Sequence, residues 1–255
     1  MPRIIAQFVL ASLTSIFATT IVGIRLQHGF VIAANGKPSY YGAGIKGSTT
    51  VCKLFRSGNF YFGIAGMAKD QNRNFFPERT IADSFSDSTS FESNVDRMEL
   101  AISHSLKIEM KRLEIEDPAQ FAFAMHKEGS DYLLTVIVGV MVGDSAHMAA
   151  RAFKYIDGTN PDIKIDRLAC PGDCSGENYA FSAGATAAAD KALADSFKIP
   201  SWDPLETARK AVDSEIRASP ETVGPPITIL AVGNNGAVVD HSQQDSCPIE
   251  VEPIK

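Results

Sequence analysis

Positive charge is scarce in this chain and never gathers. The 24 Lys+Arg stand against 30 Asp+Glu, a formal net charge of -6, and no stretch forms a basic block. Phosphate binding needs a basic stripe or patch, so no nucleic-acid partner is expected. Histidine is also sparse, with five residues and no metal-like spacing among them, so neither a metal nor a cofactor is expected. A Gly-x-Ser-x-Gly nucleophile elbow is absent. Ser48, Ser182, His28 and Asp190 therefore form a serine triad on paper only, and His104 and His126 read as ordinary surface or core histidines. Four cysteines, Cys52, Cys170, Cys174 and Cys247, allow up to two disulfides in an oxidising compartment. The CPGDC run suits a closed loop better than a metal or redox pair, since no second Cys/His pair accompanies it.

Charge is missing altogether between Arg3 and Arg25. The stretch IIAQFVLASLTSIFA after a short basic start has the shape of a secretory signal, and a cut after Ala18 supplies the small residue wanted at the last position. Ile16 fits less well two residues earlier, and a cut at Val9–Ala11 leaves too short an apolar region. Export to a periplasmic or extracellular compartment is the expectation. Two alternatives stand beside it. The run from Ile4 to Ile24, 21 residues, is long enough for an uncleaved membrane anchor, and a short propeptide removed by the protein itself is the other. The cut decides the chemistry. A chain starting at Thr19 carries a hydroxyl nucleophile and an amine base on one residue.

The remaining residues, 19–255 with 45% hydrophobic content over the whole chain, suit one domain. TTIVGIRLQHG and FVIAAN are β-rich runs joined at His28-Gly29; VCKLFR and FYFGIAG are a second pair around Ser57-Gly58-Asn59. Between Pro77 and Leu113, Val95, Met98, Ile102, Leu106, Met110 and Leu113 recur at helical intervals. After a loop at Gly129-Ser130-Asp131 come three strand candidates, YLLTVIVGVMVG, AHMAARAFKYI and DIKIDRLAC. ATAAADKALADSF and DPLETARKAVDSEIRAS read as helices, the second opened by an Asp cap with Glu three residues on. ITILAVG and GAVVDH close the chain as a hairpin around Asn234-Asn235-Gly236. Strands, helix, strands, two helices and strands make an α+β fold of two sheets packed face to face with helices outside.

The opening TTIVGIRLQHGFVIAAN, with TTVCKL and GIAGM after it, resembles the proteasome β-subunit family of N-terminal-nucleophile hydrolases, including its bacterial two-component relatives. The likeness covers Thr19 to Met67 and thins to element order beyond. It implies a four-layer αββα sandwich in which Thr19 is the nucleophile, Lys53 the cation that lowers the amine pKa, and the Gly66 N–H the oxyanion donor. Ile64, two residues before Gly66, would face the cleft and favour an apolar group beside the scissile bond. The chain departs from the family where an aspartate pairs with the lysine, for Asn35 stands there and cannot supply charge. The supporting serine falls near Ser182, one residue out of register, with Ala183 in strict alignment. Glu221, in SPETVGPP, stands where a late aspartate is found.

Plainer roles exist for the same residues. Thr19 suits a strand, Lys53 suits a solvated strand edge, and Gly66 suits close packing at a strand end. The expected function is a threonine-type hydrolase of peptide or small amide substrates after removal of residues 1–18. The alternative is a non-catalytic proteasome-like binding or scaffold protein, for which Asn35 and Ala183 speak. A small homo-oligomer is expected, and membrane contact only if residues 4–24 remain as an anchor.

Overall fold

The structure, a computed structural model, describes residues 19–36, 52–67, 75–125, 132–169, 178–184, 186–199, 201–220 and 223–241. The first apolar run turns at Gln27 and His28 to give the expected hairpin of β1 (Thr20–Leu26) and β2 (Gly29–Asn35), with Ile21 opposite Ala34. β3 (Leu54–Ser57) and β4 (Phe60–Gly66) form the second hairpin, with Leu54 opposite Gly63.

The stripe expected as one helix from Pro77 is two, α1 (Pro77–Ser84) and α2 (Phe91–Glu116). The break follows from its polar residues. Ser90 caps α2 by accepting from the Ser93 N–H, and the Asn94 amide accepts from Ser86 N at 2.8 Å while donating to the carbonyls of Ser86 and Ser90. A further helix not anticipated from the pattern, α3 (Pro118–Met125), opens with proline in its first turn and Asp117 accepting from Gln120 N at 3.0 Å.

β5 (Leu134–Val142), β6 (Ser145–Ile156) and β7 (Asp162–Ala169) match the three strand candidates. β8 (Tyr179–Gly184) was not anticipated, because YAFSAG is short and rich in small residues. α4 (Ala187–Ser196), α5 (Pro204–Ala218), β9 (Ile227–Gly233) and β10 (Gly236–His241) complete the chain. Asp203 caps α5 as expected, accepting from Leu205 N and Glu206 N.

The strands form two antiparallel five-stranded sheets, ordered β10-β9-β2-β1-β8 and β3-β4-β5-β6-β7. Strand alternation sorts their side chains into three apolar layers. Val22, Ile24, Val31 and Ala33 pack against Ala208, Ala211 and Val212 of α5 and Ala189 and Leu193 of α4. Ile21, Phe30 and Ile32 meet Tyr61, Ala65, Ile137 and Ala150 between the sheets. Phe62, Val136 and Val138 meet Val95, Met98, Ile102 and Leu106 of α2. The result is an αββα sandwich. Burying side chains of this size contributes roughly 1.5–3 kcal/mol apiece, and the middle layer fixes the separation of the sheets, on which the site below depends. Among the described residues no helix is long and apolar enough to cross a membrane.

Candidate active site

The two sheets meet at one end around Thr19. This residue immediately precedes β1, flanked by β2 on one side and β8 on the other: Ile21 lies opposite both Ala34 and Ala183, and Thr20 opposite Gly184. Lys53 comes from the other sheet. Its carbonyl accepts from Ile64 N at 3.0 Å, which extends the β3–β4 ladder by one bond and fixes where the lysine leaves the sheet. From there its side chain crosses the gap, and Nζ donates to Thr19 Oγ1 at 2.7 Å. Both residues are buried, Thr19 at 2% and Lys53 at 8% exposure.

Asn35, at the end of β2, joins the group. Its Oδ1 accepts from Thr20 N at 2.8 Å and, more weakly, from Lys53 Nζ at 3.4 Å. Its Nδ2 donates to the Gly224 carbonyl at 3.3 Å, tying the site to the segment that leads into β9. Removing the lysine head from water lowers its pKa from 10.5 to about 7, because burial disfavours the ammonium. At neutral pH a large share of Lys53 is therefore an unprotonated amine with a lone pair beside a hydroxyl.

Gly66 ends β4 with φ 109°, and a side chain there would run into the Leu133 carbonyl at 2.2 Å, so the position requires glycine. A second such glycine lies on the opposite strand. Gly184 has φ 93°, and a Cβ there would stand 1.6 Å from the Thr19 carbonyl oxygen and 3.6 Å from Ala65 Cβ. The end of β4, one residue before Gly66, thus lies alongside the backbone of Thr19. Gly184 and Gly224 were not singled out from the sequence. The signals available were a small-residue triplet at Ser182-Ala183-Gly184 and the Gly-Pro-Pro turn.

Thr19, Lys53 and Asn35 are brought together, with the end of β4 that carries Gly66 beside them. Ser182 is not with them. It lies opposite Val22, whose side chain belongs to the helix-side layer, and its hydroxyl donates to Asp190 of α4. Ala183 takes the inter-sheet side, buried at 3%. Ile64 packs in the layer with α2 rather than between the sheets, because alternation along β4 gives the inter-sheet face to Gly63 and Ala65. Glu221, Cys170, Cys174, Cys247, Ser48, His126 and residues 1–18 lie outside the described residues. Among the described residues no group of three or more His, Cys, Asp or Glu side chains could hold a metal ion.

No family model matches the sequence, and no curated protein matches it either. Among solved structures the fold is similar to the Gly-1 mutant of Anbu from Hyphomicrobium sp. strain MC1, at 17% identity over 87% of this chain and 84% of that one, TM-score 0.49. It is likewise similar to Anbu, described as an ancestral beta-subunit, from Yersinia bercovieri, at 14% identity over 87% of this chain and 88% of that one, TM-score 0.49.

Proposed function

We propose that the protein is a threonine-type N-terminal-nucleophile hydrolase of the proteasome β-subunit kind, exported and cut after Ala18, that cleaves peptide or small amide bonds. The observation that carries this reading is the 2.7 Å contact between Lys53 Nζ and Thr19 Oγ1, made by two buried side chains arriving from opposite sheets. A structural lysine would reach solvent or a carboxylate on its own side. The Thr19 oxygen attacks the carbonyl carbon as its proton passes to the freed Thr19 amine, either directly or through neutral Lys53. The Gly66 N–H stabilises the oxyanion, the C–N bond breaks as the amine returns the proton to the leaving nitrogen, and water hydrolyses the ester.

Export suits the chain on two counts: Thr20–Leu26 are hydrogen-bonded into a sheet and so take no part in a membrane span, and four cysteines suit an oxidising compartment. The second reading, a scaffold without catalysis, is favoured by Ala183 in place of a serine and by Ser182 facing α4. The test is hydrolysis of short peptide and amide reporters by protein whose start at Thr19 is established by N-terminal sequencing, compared with Thr19→Ala cut at the same bond. Loss of at least about a thousandfold in kcat/KM is expected. Equal activity in the two proteins refutes the threonine mechanism.

A further inference from the structure

Three of the large apolar side chains that stand exposed among the described residues share one line on α2. Leu100, Ile108 and Ile115 are 72%, 46% and 81% exposed. At about 3.6 residues per turn they fall, with exposed His104 and Lys111 between them, inside an arc of about 80°. That arc lies opposite the stripe of Val95, Met98, Ile102, Leu106, Met110 and Leu113 that packs on the second sheet. The outer face of a surface helix is ordinarily polar, so α2 carries a second apolar line that the chain's own core does not use.

The spacing of that line is symmetric. Leu100 stands eight residues before Ile108 and Ile115 seven residues after it, roughly 12 and 10 Å along the axis. A second α2 laid antiparallel about a two-fold axis at Ile108 therefore sets Ile108 against itself and each Leu100 against Ile115 of the other copy. Charge selects the same direction. Antiparallel, Arg97 of each copy lies toward the acidic end of the other, Glu116 and Asp117, and Lys111 lies toward the imidazole of His104. Arg97 donates to Thr89 and Asn94 from one nitrogen and has further N–H groups to offer. In a parallel pair Arg97, Lys111 and Glu116 would each meet its own like, and the two helix dipoles would be aligned rather than opposed.

We propose that the protein forms a two-fold homodimer through this outer face of α2, with Ile108 on the axis. The face belongs to the outer layer and not to the gap between the sheets that holds Thr19, so the dimer does not depend on the chain being a hydrolase. One helix pair in contact over about 24 Å, from Leu100 to Ile115, lies at the small end of specific interfaces, below about 1,200 Å². Association should accordingly be weak, half complete at roughly 10–100 µM chain.

Sedimentation equilibrium of the purified chain, from about 1 to 500 µM, measures it. Ile108→Glu brings two carboxylates together on the axis and should weaken association at least about tenfold. Leu100→Glu and Ile115→Lys should each weaken it by a similar factor. The two together should return it to within about threefold of the unaltered chain, because each introduced carboxylate then meets an introduced ammonium of the other copy. All three positions are exposed, so the fold is retained, which far-UV circular dichroism and the unfolding midpoint check. A chain that stays monomeric throughout overturns the proposal, as does a dimer or larger assembly that Ile108→Glu leaves unmoved. A double variant no better than the two singles overturns the antiparallel register. Co-sedimentation of a monomeric chain with phosphatidylserine–phosphatidylcholine vesicles, lost in Ile108→Glu, gives the face to a membrane surface and overturns the dimer as well.

Discussion

Replacing Lys53 by methionine should abolish hydrolysis and at the same time change how stability depends on pH. Burial lowers the lysine from 10.5 to about 7, and each pH unit of that gap is worth about 1.4 kcal/mol, so a fully charged Lys53 burdens the folded chain by about 5 kcal/mol. The sign follows from proton counting. Between pH 7 and 10.5 the unfolded chain holds a proton on this lysine that the folded chain has released. Stability from this residue is therefore lowest below pH 7 and recovers as pH rises to 10.5. From pH 7 to pH 9 the unaltered chain should gain roughly 2 kcal/mol that Lys53→Met does not. At pH 7 the methionine chain should itself be more stable by about 1–3 kcal/mol, after subtracting about 1–3 kcal/mol for leaving the Thr19 hydroxyl without its donor. Denaturant unfolding of both chains at the two pH values measures the difference, with other titrating groups cancelling between them. If the two proteins show the same pH dependence, the lysine is not desolvated as its position between the sheets requires.

Two further substitutions test the placement of the surrounding residues. Ser182→Ala should keep kcat/KM within about twofold and cost under roughly 1.5 kcal/mol, because its hydroxyl serves Asp190 on the helix side of the sheet; a hundredfold loss of activity places it in the site instead. Gly184→Ala should cost at least about 2 kcal/mol in unfolding free energy and about a hundredfold in kcat/KM, since the new methyl meets the Thr19 carbonyl and the backbone sits at φ 93°; unchanged kcat/KM rules out the close approach.

Much of this arrangement could be read from the residues. Thr19, Lys53 and Asn35 fall in or beside strands that the apolar runs predict, but it is the resemblance to the proteasome β-subunit family, not hairpin pairing, that grouped residues from two different sheets. The helical stripe of α2 was equally plain, since Val95, Met98, Ile102, Leu106, Met110 and Leu113 are all buried against the second sheet. Side-chain direction was harder. Whether Ile64 or Ala65 faces the gap, and whether Ser182 or Ala183 does, depends on a one-residue register, and a slip of one sends every side chain to the opposite face. The Gly184 approach to Thr19 was not legible because it arises from pairing across some 160 residues of chain, between a strand with a strong pattern and one with almost none. The break between α1 and α2 was hidden for a different reason: the apolar stripe begins only at Val95 and says nothing of the residues before it, where the polar cap of Ser90 and Asn94 decided.

The cost of Lys53 also weighs between the two functional readings. A burden of about 5 kcal/mol on the charged form is as large as the whole net stability of many domains. A protein kept only as a scaffold gains nothing from it. Methionine or leucine at this buried position would fill the space without desolvating an amine. Asn35 is neutral and lies 3.4 Å from Lys53 Nζ, so it brings no formal charge to the lysine. What Lys53 does have is a short contact to the one hydroxyl that a cut after Ala18 would put on the first residue of the chain. A destabilising amine held against a potential nucleophile is the arrangement a catalytic site requires, and on that ground the hydrolase reading outweighs the scaffold.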